Sequence, residues 1–153
     1  MRRLIVFTVT VFCSWSFAAT DAVLVETSRR TSLEQESVAA ALENCNRSQS
    51  DMNTCAEYRY VQADLELNRV YLELAGRSDE RDARKLRTAQ QAWVLWRDAN
   101  CDYEASDLEG GSLRPLVSLT CKSRVTGDRS EWVLDMLSCT SVRGECRLRK
   151  GAR

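Results

Sequence analysis

The chain has 153 residues with 22 basic and 22 acidic side chains, so its formal net charge is zero. It contains no histidine, which excludes Ser-His-Asp and Cys-His catalysis, His-ligated zinc and a haem held by a proximal histidine. One proline, six glycines and a hydrophobic content of 44% are typical of a single small helical domain.

The N-terminus has the pattern of an export signal. Two arginines precede an apolar stretch over residues 4–15, which is too short to span a bilayer as a helix. The small residue Ala18 predicts cleavage after it, whereas the bulky Phe12 before Cys13 disfavours lipidation. We therefore expect a signal peptide over residues 1–18. The mature protein is expected to be periplasmic or secreted, with no stable membrane insertion after cleavage.

Six cysteines remain after this cleavage, and an even number in an exported chain predicts disulfides that stabilise a small core. The spacing lacks the C-x2-C pairs of zinc ribbons, so we expect neither a bound metal nor another cofactor. Cysteine count alone leaves every pairing open. The six are Cys45, Cys55, Cys101, Cys121, Cys139 and Cys146.

Charge is distributed unevenly along the mature sequence. Residues 139–153 form a basic tail with five basic side chains against one acidic, whereas residues 19–138 hold 15 basic against 21 acidic. One acidic run falls where a predicted helix ends, and the helix macrodipole disfavours anions there. We interpret this run as retained for a reason other than helix stability. It includes Asp98, Asp102, Glu104, Asp107 and Glu109.

Helical periodicity begins near residue 31 and continues without a linker or repeat. Thr31 and Glu34 have the spacing of a capping box and predict a short helix after them. Ser48 and Asp51 repeat this signature before a long helix that is predicted to end at Gly76. The apolar residues of the long helix recur at helical spacing and predict one buried face: Met52, Ala56, Tyr60, Ala63, Leu67, Val70 and Leu74.

A second long helix follows after a few residues, with Ser78 as its predicted cap. Because the connection is short, the two long helices are expected to pack antiparallel as a hairpin. The predicted buried face of the second helix contains Leu86, Ala89, Trp93, Trp96, Asn100 and Tyr103.

Two shorter helices are predicted after the hairpin. Gly110 and Gly111 break the second long helix, Ser112 then caps a third helix, and Thr126 caps a fourth. No segment alternates as a strand would. The predicted fold class is therefore all-α, a small disulfide-stapled helical bundle built on a long antiparallel helix hairpin.

Four polar residues fall on the packed side of the predicted hairpin. With the turn near residue 78, Asp64 lies within one helical turn of Arg97, and Asn68 lies opposite Gln90. Buried polar groups need partners, so we predict an ion pair between Asp64 and Arg97 and a hydrogen bond between Asn68 and Gln90. The cation would keep the carboxylate ionised, which argues against a catalytic role for Asp64.

Several spaced motifs agree in order with a known family. They are Cys45…Gln49-x-x-Met52-Asn53-x-Cys55-Ala56, then Asp64-x-x-Leu67-Asn68-x-x-Tyr71, then Leu86-x-x-x-Gln90-x-x-Trp93-x-x-x-Arg97-Asp98-x-x-Cys101, then Gly110-Gly111-Ser112…Cys121…Arg129. Over about residues 45–135 the chain resembles the LprI-like family of exported bacterial proteins.

That family is named for a mycobacterial lipoprotein that inhibits lysozyme. The resemblance implies an LprI-like helical domain, assigned here to residues 19–138, in an envelope protein that binds and blocks a muramidase. It implies no catalysis. The tail over residues 139–153, with its expected small disulfide loop, lies outside the shared pattern.

Position along the predicted helices favours one disulfide pairing. One cysteine pair flanks the start of the long helix, and another lies at similar distances on either side of the glycine break. The favoured bridges are Cys45 to Cys55, Cys101 to Cys121 and Cys139 to Cys146. The hairpin also brings Cys55 close to Cys101, and this pair is the alternative.

The first functional hypothesis is a lysozyme inhibitor that occupies the active-site cleft. A muramidase cleft carries two carboxylates, and Ser112 and Arg114, which follow the flexible Gly110 and Gly111, could enter it. An acidic surface would attract a basic hydrolase. The acidic residues assigned to this surface are Asp102, Glu104, Asp107 and Glu109.

The alternative hypothesis is a structural or stress-related adaptor of the cell envelope that inhibits nothing. Its basic tail could contact anionic wall polymer or lipid headgroups. An enzyme would need a carboxylate pair or a Ser-Lys dyad in a mature chain with only three lysines, so we expect no catalysis. The expected partner is a protein and not a nucleic acid.

Overall fold

A computed structural model describes the backbone over residues 14–141 and the side chains over residues 22–138. Over that range the chain is helical without strands, which confirms the all-α prediction. Most of the predicted signal peptide, and the basic tail with its predicted bridge between Cys139 and Cys146, lie outside the described residues. The α-helices are α1 Ser14–Thr31, α2 Gln35–Glu43, α3 Gln49–Arg77, α4 Glu80–Glu104 and α5 Arg114–Ser141, with a 3-10 turn at Ser106–Leu108.

The cap of α3 forms as its sequence signature predicts. The Ser48 hydroxyl oxygen accepts a hydrogen bond from the Asp51 backbone N–H at 3.1 Å and donates to the Asp51 carboxylate at 2.7 Å. On the predicted apolar face of the helix, Ala56, Leu67 and Val70 are buried. Local spacing was therefore sufficient to place this helix and its core face.

The core lies between α3 and α5, which pack along each other more extensively than α3 packs against α4. Leu67, Val70 and Leu74 of α3 form one cluster with Val133 and Leu137 of α5. The start of α3 also contacts the segment just before α5. The two helices therefore run in the same direction, and α4 returns antiparallel to both.

The buried face of α4 differs from the predicted one. Trp96 is 53% exposed and Tyr103 is 79% exposed, whereas Arg97 and Cys101 are buried. The predicted face followed the apolar residues, but this helix packs through a face that is partly polar. The face that turns inward includes Leu86, Gln90, Trp93, Arg97 and Cys101.

Two predicted N-caps belong to the preceding helix instead. Thr31 is the last residue of α1, and its hydroxyl donates to backbone carbonyls of α1, so the capping box with Glu34 does not form. The Ser78 hydroxyl likewise donates to a carbonyl of α3 at 2.8 Å. The cap of α4 is Asp79, whose carboxylate accepts from the Asp82 N–H at 2.8 Å.

The two helices predicted after the hairpin are one continuous helix. α5 begins at Arg114, two residues beyond Ser112, and passes through Thr126 and Gly127 without interruption. A glycine inside a helix costs about 1 kcal/mol relative to alanine. Burial of side chains on both sides of this position outweighs that cost, including Cys121, Val125 and Val133.

The helix α1 was not predicted, because few of its residues face the core. Val23 and Thr27 are buried, and the Thr27 hydroxyl donates to the Val23 carbonyl at 2.7 Å, which satisfies it within the helix. α1 packs against α3 and α2. Within the described residues, none of the helices has the length and apolar character to cross a membrane.

Two of the three favoured disulfides form. Cys45 joins Cys55 with a Cα–Cα distance of 5.8 Å, and Cys101 joins Cys121 with a Cα–Cα distance of 5.5 Å. The alternative bridge between Cys55 and Cys101 is therefore excluded. One bridge ties the segment before α3 to that helix, and the other ties the end of α4 to the start of α5.

Candidate binding surfaces

The predicted binding loop is an exposed turn between α4 and α5. Gly110 has a φ of 74°, a conformation that favours glycine, and a Cβ at Gly111 would lie 3.1 Å from the Leu108 carbonyl oxygen. The Asn53 side-chain amide of α3 donates to the Ser112 carbonyl at 3.2 Å. The loop is thus a defined turn anchored to the bundle.

The predicted acidic surface surrounds this loop, and α5 neutralises part of it. The Glu104 carboxylate accepts a hydrogen bond from Arg124 at 3.0 Å. Among the described residues, Asp107 and Glu109 are exposed and form no ion pair. These cations of α5 are distant in sequence from the acidic residues, so the neutralisation could not be predicted from the neighbouring sequence.

Arg114 lies at the start of α5 beside this acidic surface. Its guanidinium is 3.8 Å from the Asp102 carboxylate, beyond hydrogen-bond range, and its Nε is buried without a hydrogen-bond partner in the described part of the chain. Arg114 therefore forms a loose ion pair with Asp102 but no hydrogen bond to a carboxylate within the described residues.

The cation closest to Asp64 is not the predicted one. Asp64 lies 3.6 Å from Arg97, but Arg30 of α1 contacts the same carboxylate at 2.6 Å. The closest carboxylate to Arg97 is that of its neighbour Asp98, at 2.9 Å. Arg30 also pairs with Glu26 at 2.8 Å. The ion pair within the hairpin is thus one part of a network that extends to α1.

The predicted hydrogen bond between Asn68 and Gln90 is replaced by another. Asn68 is exposed, and the Gln90 side-chain oxygen accepts from Arg129 Nε at 3.1 Å. The physical reason is the placement of α5 against α4, which brings Arg129 to the inner face of α4. The prediction considered only the two helices of the hairpin and therefore did not include α5.

Three arginines and three aromatic rings alternate across the bundle, an arrangement we call the arginine–aromatic stack. Each guanidinium carbon lies within 4.2 to 5.6 Å of the centroid of a neighbouring ring, a range in which cation–π attraction is appreciable. The stack joins α1, α3, α4 and α5. Its members in order are Arg30, Tyr60, Arg97, Trp93, Arg129 and Trp132.

The arginines of the stack differ in their counter-charges. Burial acts to lower the pKa of Arg30, but hydrogen bonds to Glu26 and Asp64 raise it above the usual value. At Arg129 burial lowers the pKa, and no carboxylate among the described residues opposes this effect. Its Nη2 is buried without a hydrogen-bond partner in the described part of the chain.

The described residues offer binding chemistry and no metal centre. Within them, no three cysteine or carboxylate side chains come together in a group that could hold a metal ion. An open groove of about 840 Å³ lies between α1, α3 and α5, lined by residues that include Val23, Tyr58, Ala63 and Ser123.

Comparison with known proteins supplies a family match. Residues 42–132 match the family model described as lysozyme inhibitor LprI. An uncharacterized protein of Rhizobium meliloti (strain 1021) is 28% identical over 103 residues, which cover 59% of this chain and 74% of that protein. No solved structure matches the chain. The matched range includes α3, α4, the loop and Arg129, whereas α1 and Arg30 lie before it.

Proposed function

Because the chain belongs to the LprI family of lysozyme inhibitors, we propose that it is a periplasmic or secreted protein that inhibits a lysozyme-type peptidoglycan hydrolase. It does so by occupying the active-site cleft, and it catalyses no reaction. The observation that carries this proposal is the family match, which spans most of the described helices.

The loop at residues 110–114 is the proposed cleft-binding element. A muramidase cleft contains two carboxylates, one of them ionised, and a guanidinium forms strong paired hydrogen bonds with such a group. Arg114 is suited to this role, because it has no hydrogen-bonded carboxylate among the described residues. The exposed Ser112 adds a hydroxyl, and its carbonyl is held by Asn53. Such anchoring reduces the entropy that the loop would lose on binding.

The acidic surface is proposed to act before contact. Asp107 and Glu109 are exposed without ion pairs among the described residues, so their field extends into solvent. Such charges accelerate the encounter with a basic protein and make association sensitive to salt. Asp102 and Glu104 contribute less, since Arg114 and Arg124 lie close to them.

A lysis assay tests the proposal. Purified oxidised protein should slow the lysozyme-driven clearing of a cell-wall suspension, and Arg114→Ala should weaken binding roughly tenfold or more, mainly through faster dissociation. Arg81→Ala is the matched control, because Arg81 is an exposed arginine near the opposite end of α4. Failure of the wild-type protein to inhibit or bind any lysozyme type would refute the function. An unchanged dissociation rate for Arg114→Ala would refute the role of the loop.

A second candidate function is the envelope adaptor, and the outer face of α4 favours it. Leu95, Trp96 and Tyr103 are exposed large side chains on one helix, a feature typical of surfaces that bind other proteins. Retention of a wall or envelope protein without any inhibition of lysozyme would favour this function.

A further inference from the structure

A guanidinium without a counter-ion among the described residues lies where α4 and α5 meet. Arg129 is half-buried, and the centroids of the Trp93 and Trp132 rings lie 5.6 Å and 4.2 Å from its guanidinium carbon. Its one polar partner among the described residues is Gln90, a neutral amide. The described part of the chain thus holds a partly desolvated positive charge that none of its carboxylates balances.

The rest of the stack shows what this position lacks. Arg30 and Arg97 also lie over aromatic rings, and each has at least one carboxylate within 3 Å. Ring faces offset only part of the cost of desolvating a cation. A donor such as Nη2 of Arg129, buried and without a hydrogen bond, adds to that cost. A carboxylate supplied from outside the chain would provide the missing counter-charge.

The position is also accessible from the surface. Trp132 is 43% exposed and Arg129 is partly exposed, although its Nη2 is not, so the site borders solvent. Arginine and tryptophan are the residue types most enriched among energetically dominant interface contacts. We propose that Arg129, between Trp93 and Trp132, is a docking site for an aspartate or glutamate side chain of a protein partner.

This site is separate from the loop, yet one partner could contact both. Arg114 and Arg129 are 15 positions apart on α5, which corresponds to about 22 Å along the helix and about 60° around it. An interface of standard size is wide enough to include both positions. The inference does not depend on the identity of the partner, and it stands or falls independently of lysozyme inhibition.

A peptide titration followed by NMR tests the site directly. A short glutamate peptide should shift the indole N–H signals of Trp93 and Trp132 and the Nε–H signal of Arg129, and the matched glutamine peptide should not. Arg129→Met, which keeps length but removes the charge, should abolish the shifts. Should Arg129→Met fail to fold, Arg129→Lys serves, and weaker shifts are then expected because the planar fork is lost.

An exposed arginine elsewhere on α4 is the control for ordinary charge attraction. Arg81→Met should leave the shifts at Trp93 and Trp132 unchanged, since Arg81 is exposed at the start of α4. The shifts should decrease with added salt. Equal shifts from the two peptides, shifts that persist in Arg129→Met, or no shift at either indole would overturn the proposal.

Discussion

Each end of the arginine–aromatic stack contains an arginine that lies over an aromatic ring. The two arginines differ in whether a carboxylate neutralises them. At the α1 end, Arg30 stacks on Tyr60 and is neutralised by Glu26 and Asp64. At the α5 end, Arg129 is stacked twice but has only an amide as its polar partner among the described residues. Stacking alone therefore does not indicate whether an arginine is structural. Whether a carboxylate pairs with the arginine is the more informative observation.

The largest expected effect comes from removing the carboxylate at the balanced end. Asp64→Ala removes a carboxylate shared by Arg30 and Arg97, which keep Glu26 and Asp98 respectively, and we expect a loss of about 2 kcal/mol of unfolding free energy. Urea denaturation measures this loss, with the exposed Asp128→Ala as the control. Combined with Arg30→Met, the loss should be smaller than the sum of the single losses. Additive losses would show that the two side chains are not coupled.

The next prediction compares the two terminal arginines directly. Arg129→Met should change stability by less than about 1 kcal/mol or increase it, because it removes a charge that no carboxylate among the described residues pairs with. Arg30→Met should destabilise by about 1 to 2 kcal/mol, because Asp64 loses its closest cation and keeps only the 3.6 Å contact with Arg97, whereas Glu26 still pairs with Arg29. Thermal and urea unfolding of both variants measure the difference. Equal losses would mean that both ends are structural.

The smallest expected effect is the contribution of Glu26, at the α1 end, to the pH dependence of stability. Hydrogen bonds from Arg29 and then Arg30 lower the pKa of Glu26 from 4.5 to about 2. The stabilisation is therefore complete above pH 4.5 and is lost as the pH falls from 4.5 towards 2. Glu26→Gln should flatten the loss of stability across this window, as measured by denaturation at a series of pH values. Arg129→Met should leave that slope unaltered, and a changed slope would show an unrecognised carboxylate near Arg129.

The elements that could be predicted are those whose signals are local. Ser48 lies three residues from Asp51, and Cys45 lies ten residues from Cys55, so cap and bridge are both encoded in neighbouring sequence. The apolar face of α3 is similarly encoded by helical spacing. The fold class followed from these local signals together with the short connection between α3 and α4.

The site residues were harder to predict, because their partners are distant in sequence and come from other helices. Arg30 and Asp64 are separated by 34 positions, and Gln90 and Arg129 by 39. Apolar periodicity also misdirected the assignment of α4, since the buried side chain there is Arg97 while Trp96 is largely exposed. A buried face that depends on charge compensation has no hydrophobic signal of its own.

The bridge between Cys101 and Cys121 encloses the candidate loop in a covalent ring. A protease that cuts at the exposed residues 109–112 would open the ring at one bond, but α4 and α5 would stay joined through the disulfide. The nicked chain would migrate as one species on a non-reducing gel and as two fragments after reduction. The loop can therefore be displayed to solvent, with the glycines that make it easy to cleave, without a single cut separating the two helices that carry Arg114, Arg129 and Trp93.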